Sequence, residues 1–140
     1  MDTGGHLGRE SFLALARAPG RLFLVDRMSR RREVRRGFLL ALGWMLSRRI
    51  CRETQKRRVG IVFPPGLGAC VANLAVVLAG KAPVNLNFTL GPSVVRACME
   101  KADLDCLLTA QAVRSRMPEF PWPEDVAVVD VVEALRELPK

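Results

Sequence analysis

The sequence predicts an α/β fold: a mainly parallel sheet with flanking helices and an N-terminal hairpin. Three observations predict it. Val59 to Phe63 is a short apolar run rich in β-branched residues, as expected of a strand covered on both faces. From Ala69 to Ala79 only Asn73 is polar, so a helix there is buried nearly all round. Ala82 to Leu86 then returns as a strand, and strands and helices alternate to the chain end. Strand, helix, strand with a short first loop is a βαβ unit, whose crossover is right-handed.

The remaining elements follow in order. Met1 to Arg9 has little periodicity and three glycines, and residues 1–10 are expected to form a flexible tail. Ser11 to Ala18 reads as a short helix with Ser11 as N-cap, ended by Pro19-Gly20. Arg21 to Asp26 is a strand, Arg27 to Arg32 a polar turn and Glu33 to Arg36 the returning strand of a hairpin. Gly37 to Arg57 is the clearest amphipathic helix. Phe38, Leu42, Met45, Leu46 and Ile50 share one face, read as facing the core in preference to a membrane surface. Its arginines gather near the C-terminus, where the helix dipole favours cations. Pro64 to Gly68 must be a turn, since proline lacks an N–H and glycine permits unusual φ. Gly80 suits a helix C-cap. A further helix opens around Thr89 to Ser93, with Val94 or Val95, Cys98 and Ala102 on one face and Asp103 at its end. Leu104 to Thr109 is a strand, Ala110 to Arg116 a short helix, Met117 to Glu124 a loop, Val126 to Val129 a strand and Val131 to Leu138 a helix.

At 140 residues and 49% hydrophobic content the chain is one domain or a piece of one. The longest apolar runs, Phe38 to Leu46 and Leu67 to Ala79, fall short of the roughly 20 residues of a spanning helix. With no transmembrane segment and no signal-peptide pattern, a cytoplasmic protein is expected, with membrane association confined to its surface. The net charge of +8 is uneven. Residues 1–58 carry 15 Lys/Arg against 5 Asp/Glu, whereas residues 59–140 carry 7 against 9. A basic half of this kind is either a solvated face or a docking face for an acidic protein, RNA or an anionic membrane.

Candidate chemistry is sparse. Cys51, Cys70, Cys98 and Cys106 lack paired spacing and read as reduced thiols packed as small hydrophobes. The only histidine is His6, so neither a zinc site nor a Ser-His-Asp or Cys-His base is expected. Asp103 and Asp105 read as capping and turn residues rather than an acid/base pair. Ligands of parallel sheets lie beyond the carboxyl ends of the strands, which singles out two loops. Pro65, Gly66 and Gly68 form a tight turn, a wall of a substrate pocket, or an anion site at a helix N-terminus; they match neither a Walker loop nor a dinucleotide fingerprint. Asn87 and Thr89, after the next strand, either satisfy local backbone groups or face a substrate.

The pattern Arg58-Val-Gly-Ile-Val-x-Pro-Pro-Gly66, followed by Asn73-Leu-Ala-Val-x-Leu-Ala-Gly-Lys-x-Pro-Val-Asn-Leu-Asn-Phe-Thr89, resembles the N-terminal part of adenylate-forming (AMP-binding) ligases. It looks most like the acyl-[acyl-carrier-protein] synthetase and 2-acylglycerophosphoethanolamine acyltransferase branch. The likeness is sharpest over residues 58–91 and looser over 11–57 and 92–138. It implies that residues 11–140 form a partial N-terminal subdomain, part of the family's large domain. The complete family enzyme uses ATP and Mg to activate a fatty acid as acyl-adenylate, then passes the acyl group to a thiol of acyl carrier protein or coenzyme A. The resemblance also defines what is missing. The Ser/Thr/Gly-rich loop ending in Pro-Lys-Gly, the aromatic-Gly-x-Thr-Glu segment, the ribose Asp and the C-terminal lysine do not occur, and neither does the acyltransferase His-x-x-x-x-Asp motif. No catalytic residue is therefore assigned, no cofactor is expected for the chain alone, and isolated activity is not expected. The alternative is a small basic binding module for an acidic protein, RNA or a membrane surface. Six Phe and two Trp without basic-aromatic interleaving argue against specific nucleic-acid recognition.

Overall fold

A computed structural model describes residues 3–27 and 31–136. The expected turn at residues 28–30, with Arg30 of its basic run, lies outside the described residues, as do Met1, Asp2 and the end of the last helix beyond residue 136. The architecture is α/β, with a parallel four-stranded sheet between helices and a separate antiparallel hairpin.

Helix α1 (Thr3–Ala16) comes first. It starts eight residues before Ser11 and takes in residues assigned to a tail. The reason is tertiary. Gly8 is buried against the third helix, so closely that a Cβ there would lie 2.6 Å from the Val77 carbonyl oxygen. Strands β1 (Leu22–Asp26) and β2 (Arg32–Arg35) form the expected hairpin, with a register irregularity between Leu22 and Leu24.

Helix α2 (Arg36–Glu53) is present, but its buried face differs from the expected one. Leu39, Gly43, Leu46, Ser47 and Ile50 point inward, and Phe38 is 56% exposed. A small residue, Gly43, is what α3 requires at the contact: a Cβ there would lie 2.8 Å from Leu74 Cδ2. A hydrophobicity pattern that weights large side chains misses that position. The helix also stops four residues early. Thr54 is extended and buried, its hydroxyl donates to Asp105 Oδ1, and the Lys56 amide donates to that hydroxyl at 3.0 Å.

The parallel sheet is built from β3 (Arg58–Ile61), β4 (Ala82–Asn85), β5 (Cys106–Thr109) and β6 (Ala127–Asp130), in the spatial order β4-β3-β5-β6. Between them run α3 (Leu67–Leu78), α4 (Pro92–Lys101) and the one-turn α5 (Gln111–Arg114); α6 (Val131–Arg136) follows β6. No residue of α3 is exposed, as its composition predicts. Both α3 and α4 end in the same six-residue motif. Gly80 (φ 72°) donates to Val77 O and Lys81 N to Val76 O; Asp103 (φ 53°) donates to Glu100 O and Leu104 N to Met99 O. Asp103 is the non-glycine residue with positive φ among those described, and aspartate tolerates that conformation better than most side chains.

The sheet separates two apolar layers. On one side α2, α3 and α6 pack Leu46, Ile50, Val71 and Ala75 onto Ile61, Cys106, Leu108 and Val129. On the other, α4 and the loop before β6 pack Val95, Met99 and Phe120 onto Val62 and Leu107. Successive residues of β5 thus serve opposite layers, which explains an apolar run without alternation. The thiols divide accordingly. Cys106 is buried, and burial, with Asp105 and Glu53 nearby, pushes its pKa up to about 12. Cys70 is half-buried, its pKa raised by burial and by Asp26. Cys51 and Cys98 are exposed, against the expectation that all four thiols pack inside; they lie on the solvent faces of α2 and α4.

Candidate functional site

The strand order sets where a site belongs. From β3 the chain moves to β4 on one side, then crosses to β5 on the other. The switch point therefore lies beyond the carboxyl ends of β3 and β5, where open parallel sheets place their ligands. The Pro64–Gly68 turn leaves β3 at this point, and α3 begins there.

The turn is shaped by glycine. Gly66 adopts φ 152° and ψ −167°, a conformation open essentially to glycine alone. A Cβ on Gly68 would lie 2.8 Å from Phe63 Cε1, so its absence lets the Phe63 ring lie on the first turn of α3. Pro65 is exposed at the tip. The floor of the switch point is closed, because buried Thr109 donates its hydroxyl to Val62 O at 2.9 Å and Val62 N donates to Leu108 O at 3.0 Å.

The N-terminus of α3 meets a carboxylate of the chain itself. The Leu67 amide donates to Asp26 Oδ2 at 3.2 Å. Asp26 ends β1, so the hairpin is tied to the sheet through this contact. A negative group at that amide disfavours a second anion, so these residues do not fit a nucleotide phosphate at this turn.

Asn87 and Thr89 lie one strand away, after β4, and are engaged with each other. Asn87 Oδ1 accepts from Thr89 N at 3.0 Å and from Thr89 Oγ1 at 2.7 Å, the local backbone role that such residues commonly fill. Between the two loops, Asn73 and Asn85 exchange amide hydrogen bonds of 3.0 and 2.9 Å. The one polar residue of α3 thus fastens the helix to the end of β4. At the far side, Asp130 Oδ2 accepts from Gln111 N, and its Oδ1 accepts from Val132 N and Glu133 N at 2.8 and 2.9 Å.

Pro65, Gly66 and Gly68 thus fall at the switch point, and Asn87 and Thr89 beside it; the fold does not bring the two groups into one cluster of polar side chains. Asp26, Thr109 and Asp130 were missed by sequence reasoning. Asp130-Val-Val-Glu133 carries the signature of an N-cap followed by an acidic third residue, which was there to be read. Asp26 had no local signal, since its partner is 41 residues away. Asp103 takes the turn role read for it at the end of α4 and pairs with Lys56 Nζ at 2.7 Å, whereas Asp105 accepts from the Thr54 hydroxyl, 51 residues away. The hydrogen bond to Asp103 raises the Lys56 pKa. Among the described residues no group of His, Cys, Asp and Glu is placed to hold a metal ion.

No protein-family profile matches the chain, and no curated protein matches it by sequence. Solved structures match it closely in shape. A nonribosomal peptide synthetase, FmoA3, with α-methyl-L-serine-AMP bound superposes on 95% of this chain with a TM-score of 0.81 at 16% identity. The unliganded O-succinylbenzoate coenzyme A synthetase MenE of Bacillus subtilis covers 93% of it at TM-score 0.75 and 20% identity. NpsA-ThdA of Klebsiella oxytoca, an artificially fused adenylation and carrier-protein di-domain, covers 96% at TM-score 0.75 and 14% identity. The fold is thus one found in adenylate-forming enzymes. At these identities the likeness is one of fold. The chain spans 15%, 27% and 26% of these three proteins, respectively.

Proposed function

We propose that this chain is the N-terminal portion of an ATP-dependent fatty acyl ligase of the acyl-[acyl-carrier-protein] synthetase branch. The observation that carries the reading is a coincidence of motif and fold. The string from Arg58 to Thr89 that resembles this branch occupies β3, the switch-point turn, α3 and β4, and the surrounding chain takes a fold found in adenylate-forming enzymes.

In this reading the chain supplies scaffold. Pro65, Gly66 and Gly68 form part of an acyl-pocket wall, with Asn87 and Thr89 at its substrate-side rim. ATP, Mg and the acceptor thiol of acyl carrier protein or coenzyme A are handled by segments outside these 140 residues. The carboxylate of Asp26 at the start of α3 supports that division, since it leaves the turn unsuited to phosphate.

The test begins with the DNA beyond the Lys140 codon, read in three frames. A Thr/Gly-rich loop followed by Pro-Lys-Gly is expected, and unrelated sequence would overturn the reading. The second step measures exchange of labelled pyrophosphate into ATP by the chain alone and by the complete product, offered fatty, α-amino and aryl acids. Silence from the chain alone and fatty-acid-dependent exchange from the complete product are expected. Exchange driven only by amino or aryl acids would remove the fatty acyl assignment.

A further inference from the structure

The parallel sheet ends in two strands, β4 and β6, and their hydrogen bonds show which backbone groups each turns outward. Ala127 N donates to Asp105 O at 3.0 Å. Successive residues of a strand direct their backbone groups to opposite sides, so Val128 and Asp130 turn N–H and C=O away from β5. Among the described residues no strand lies beyond β6. At the other edge, Ala82 N donates to Arg57 O at 2.7 Å and Leu86 N to Ile61 O at 2.9 Å. The outward positions of β4 are therefore Pro83 and Asn85. Pro83 has no N–H to offer, which is how natural sheets close an edge to a further strand. β6 reads Ala-Val-Val-Asp, with no proline, lysine or arginine to close it, and its Asp130 carboxylate is engaged with the amides of α5 and α6. All four β6 residues line a groove of about 240 Å³, together with Arg49 and Glu53 of α2 and Glu133 of α6. Val126, Ala127 and Val128 are half-buried here, whereas every residue of β5 is buried.

We propose that the β6 edge receives a β-strand from the part of an adenylate-forming protein that lies outside these 140 residues. The proposal rests on the function proposed above and adds the place where the remaining chain attaches. Outward N–H and C=O groups in alternation are met in full by the backbone of another strand, which selects an extended polypeptide. A second copy of this chain is a poor fit. Isologous pairing of β6 with itself would bring Glu53, Asp130 and Glu133 of one copy near the same carboxylates of the other, between chains that each carry a net charge of +8. A strand of different sequence avoids that repulsion, and the groove's carboxylates favour lysine or arginine on it. Proteins that share the fold have such chain to give, since this one spans 15%, 27% and 26% of the three described above.

The experiment is amide hydrogen exchange, resolved to single residues, on the chain alone and on the complete product of the DNA beyond the Lys140 codon. In the chain alone, Ala127 and Val129 are expected to be protected, and Val128 and Asp130 to exchange fast at every protein concentration. In the complete product, Val128 and Asp130 slow by about 100-fold or more as they join the interior of the sheet. Val128→Pro removes one outward N–H and no bond to β5. It returns Asp130 of the complete product to fast exchange, while continued protection of Ala127 and Val129 shows that β6 still forms. Protection of Val128 and Asp130 that rises with concentration in the chain alone would assign the edge to a second copy and overturn the proposal. Fast exchange at both positions in a complete product that still exchanges pyrophosphate into ATP, or slowing at Asn85 in their place, would overturn it and leave the proposed function standing. Unrelated sequence beyond Lys140 would overturn both together.

Discussion

Replacing Gly60 by alanine tests the packing at the centre of the sheet. Gly60 sits in β3 with Val84 of β4 on one side and Leu107 of β5 on the other. A Cβ there would lie 2.2 Å from Leu107 Cδ2 and 2.9 Å from Leu104 Cδ1. Carbon atoms pack at roughly 3.5–4.0 Å, so Leu107 must retreat by more than about 1 Å. Leu107 is completely buried and has no solvent to swing into. Overpacking of this kind costs about 1–3 kcal/mol. The alanine recovers about 0.5–1 kcal/mol of the entropy that glycine loses on folding. A net loss of about 1 kcal/mol is expected, read as a lowered urea midpoint with an unchanged slope. Leu107→Ala alone should cost about 2–5 kcal/mol by opening a cavity. In the double variant the new methyl occupies that cavity, so the combined loss should fall short of the sum by about 2 kcal/mol. A Gly60→Ala protein within about 0.5 kcal/mol of the parent, or additivity within that margin, would refute the reasoning.

Three further outcomes follow from the same structure. Gly8→Ala places a methyl 2.6 Å from the Val77 carbonyl, where backbone cannot yield; α1 should detach and become the first site of limited proteolysis, while the sheet keeps its circular dichroism. Asp130→Ala strips the acceptor from three amides at the starts of α5 and α6 and should lower stability by about 1–2 kcal/mol, seen in thermal unfolding, with Asp130→Asn losing less. The Cys106 thiol ionises near 9.0 when exposed and near about 12 in the fold. Above pH 9 the unfolded chain therefore holds fewer protons, and stability falls between pH 9 and pH 12 by up to ~1.4 kcal/mol per pH unit. Lys56 also loses its contribution in alkali, so the measured quantity is the difference from Cys106→Ala, whose unfolding should depend less steeply on pH over that window.

Much of the architecture was legible locally. The β3–α3–β4 unit could be read because β3 lies in a short β-branched run, its turn is a Pro-Pro-Gly block, its helix has one polar residue and Gly80 separates that helix from the returning strand. The positions of Pro65, Gly66 and Gly68 at the ligand end of the sheet followed from that order of elements. The inward face of α2 could not be read the same way. A glycine is the contact residue there, and the large side chains that mark a face by size include Phe38, which lies outside. The start of α1 was hidden for a similar reason, since its glycine-rich segment is helical where Gly8 meets the backbone of α3. The exposure of Cys51 and Cys98 depends on which side of α2 and α4 faces the sheet, which the apolar character of a thiol does not reveal.

The sequence by itself determined the α/β class, the order of strands and helices, the Gly80 and Asp103 helix ends and the concentration of arginine in the first 58 residues. Those features depend on local periodicity, backbone conformational limits and composition, all carried by neighbours in the chain. Only the tertiary structure decided the strand order β4-β3-β5-β6, the carboxylate of Asp26 at the start of α3, the Asn73–Asn85 pair and the outward-facing backbone groups of β6. Each depends on contacts between residues far apart in the chain, selected by shape when the helices close over the sheet.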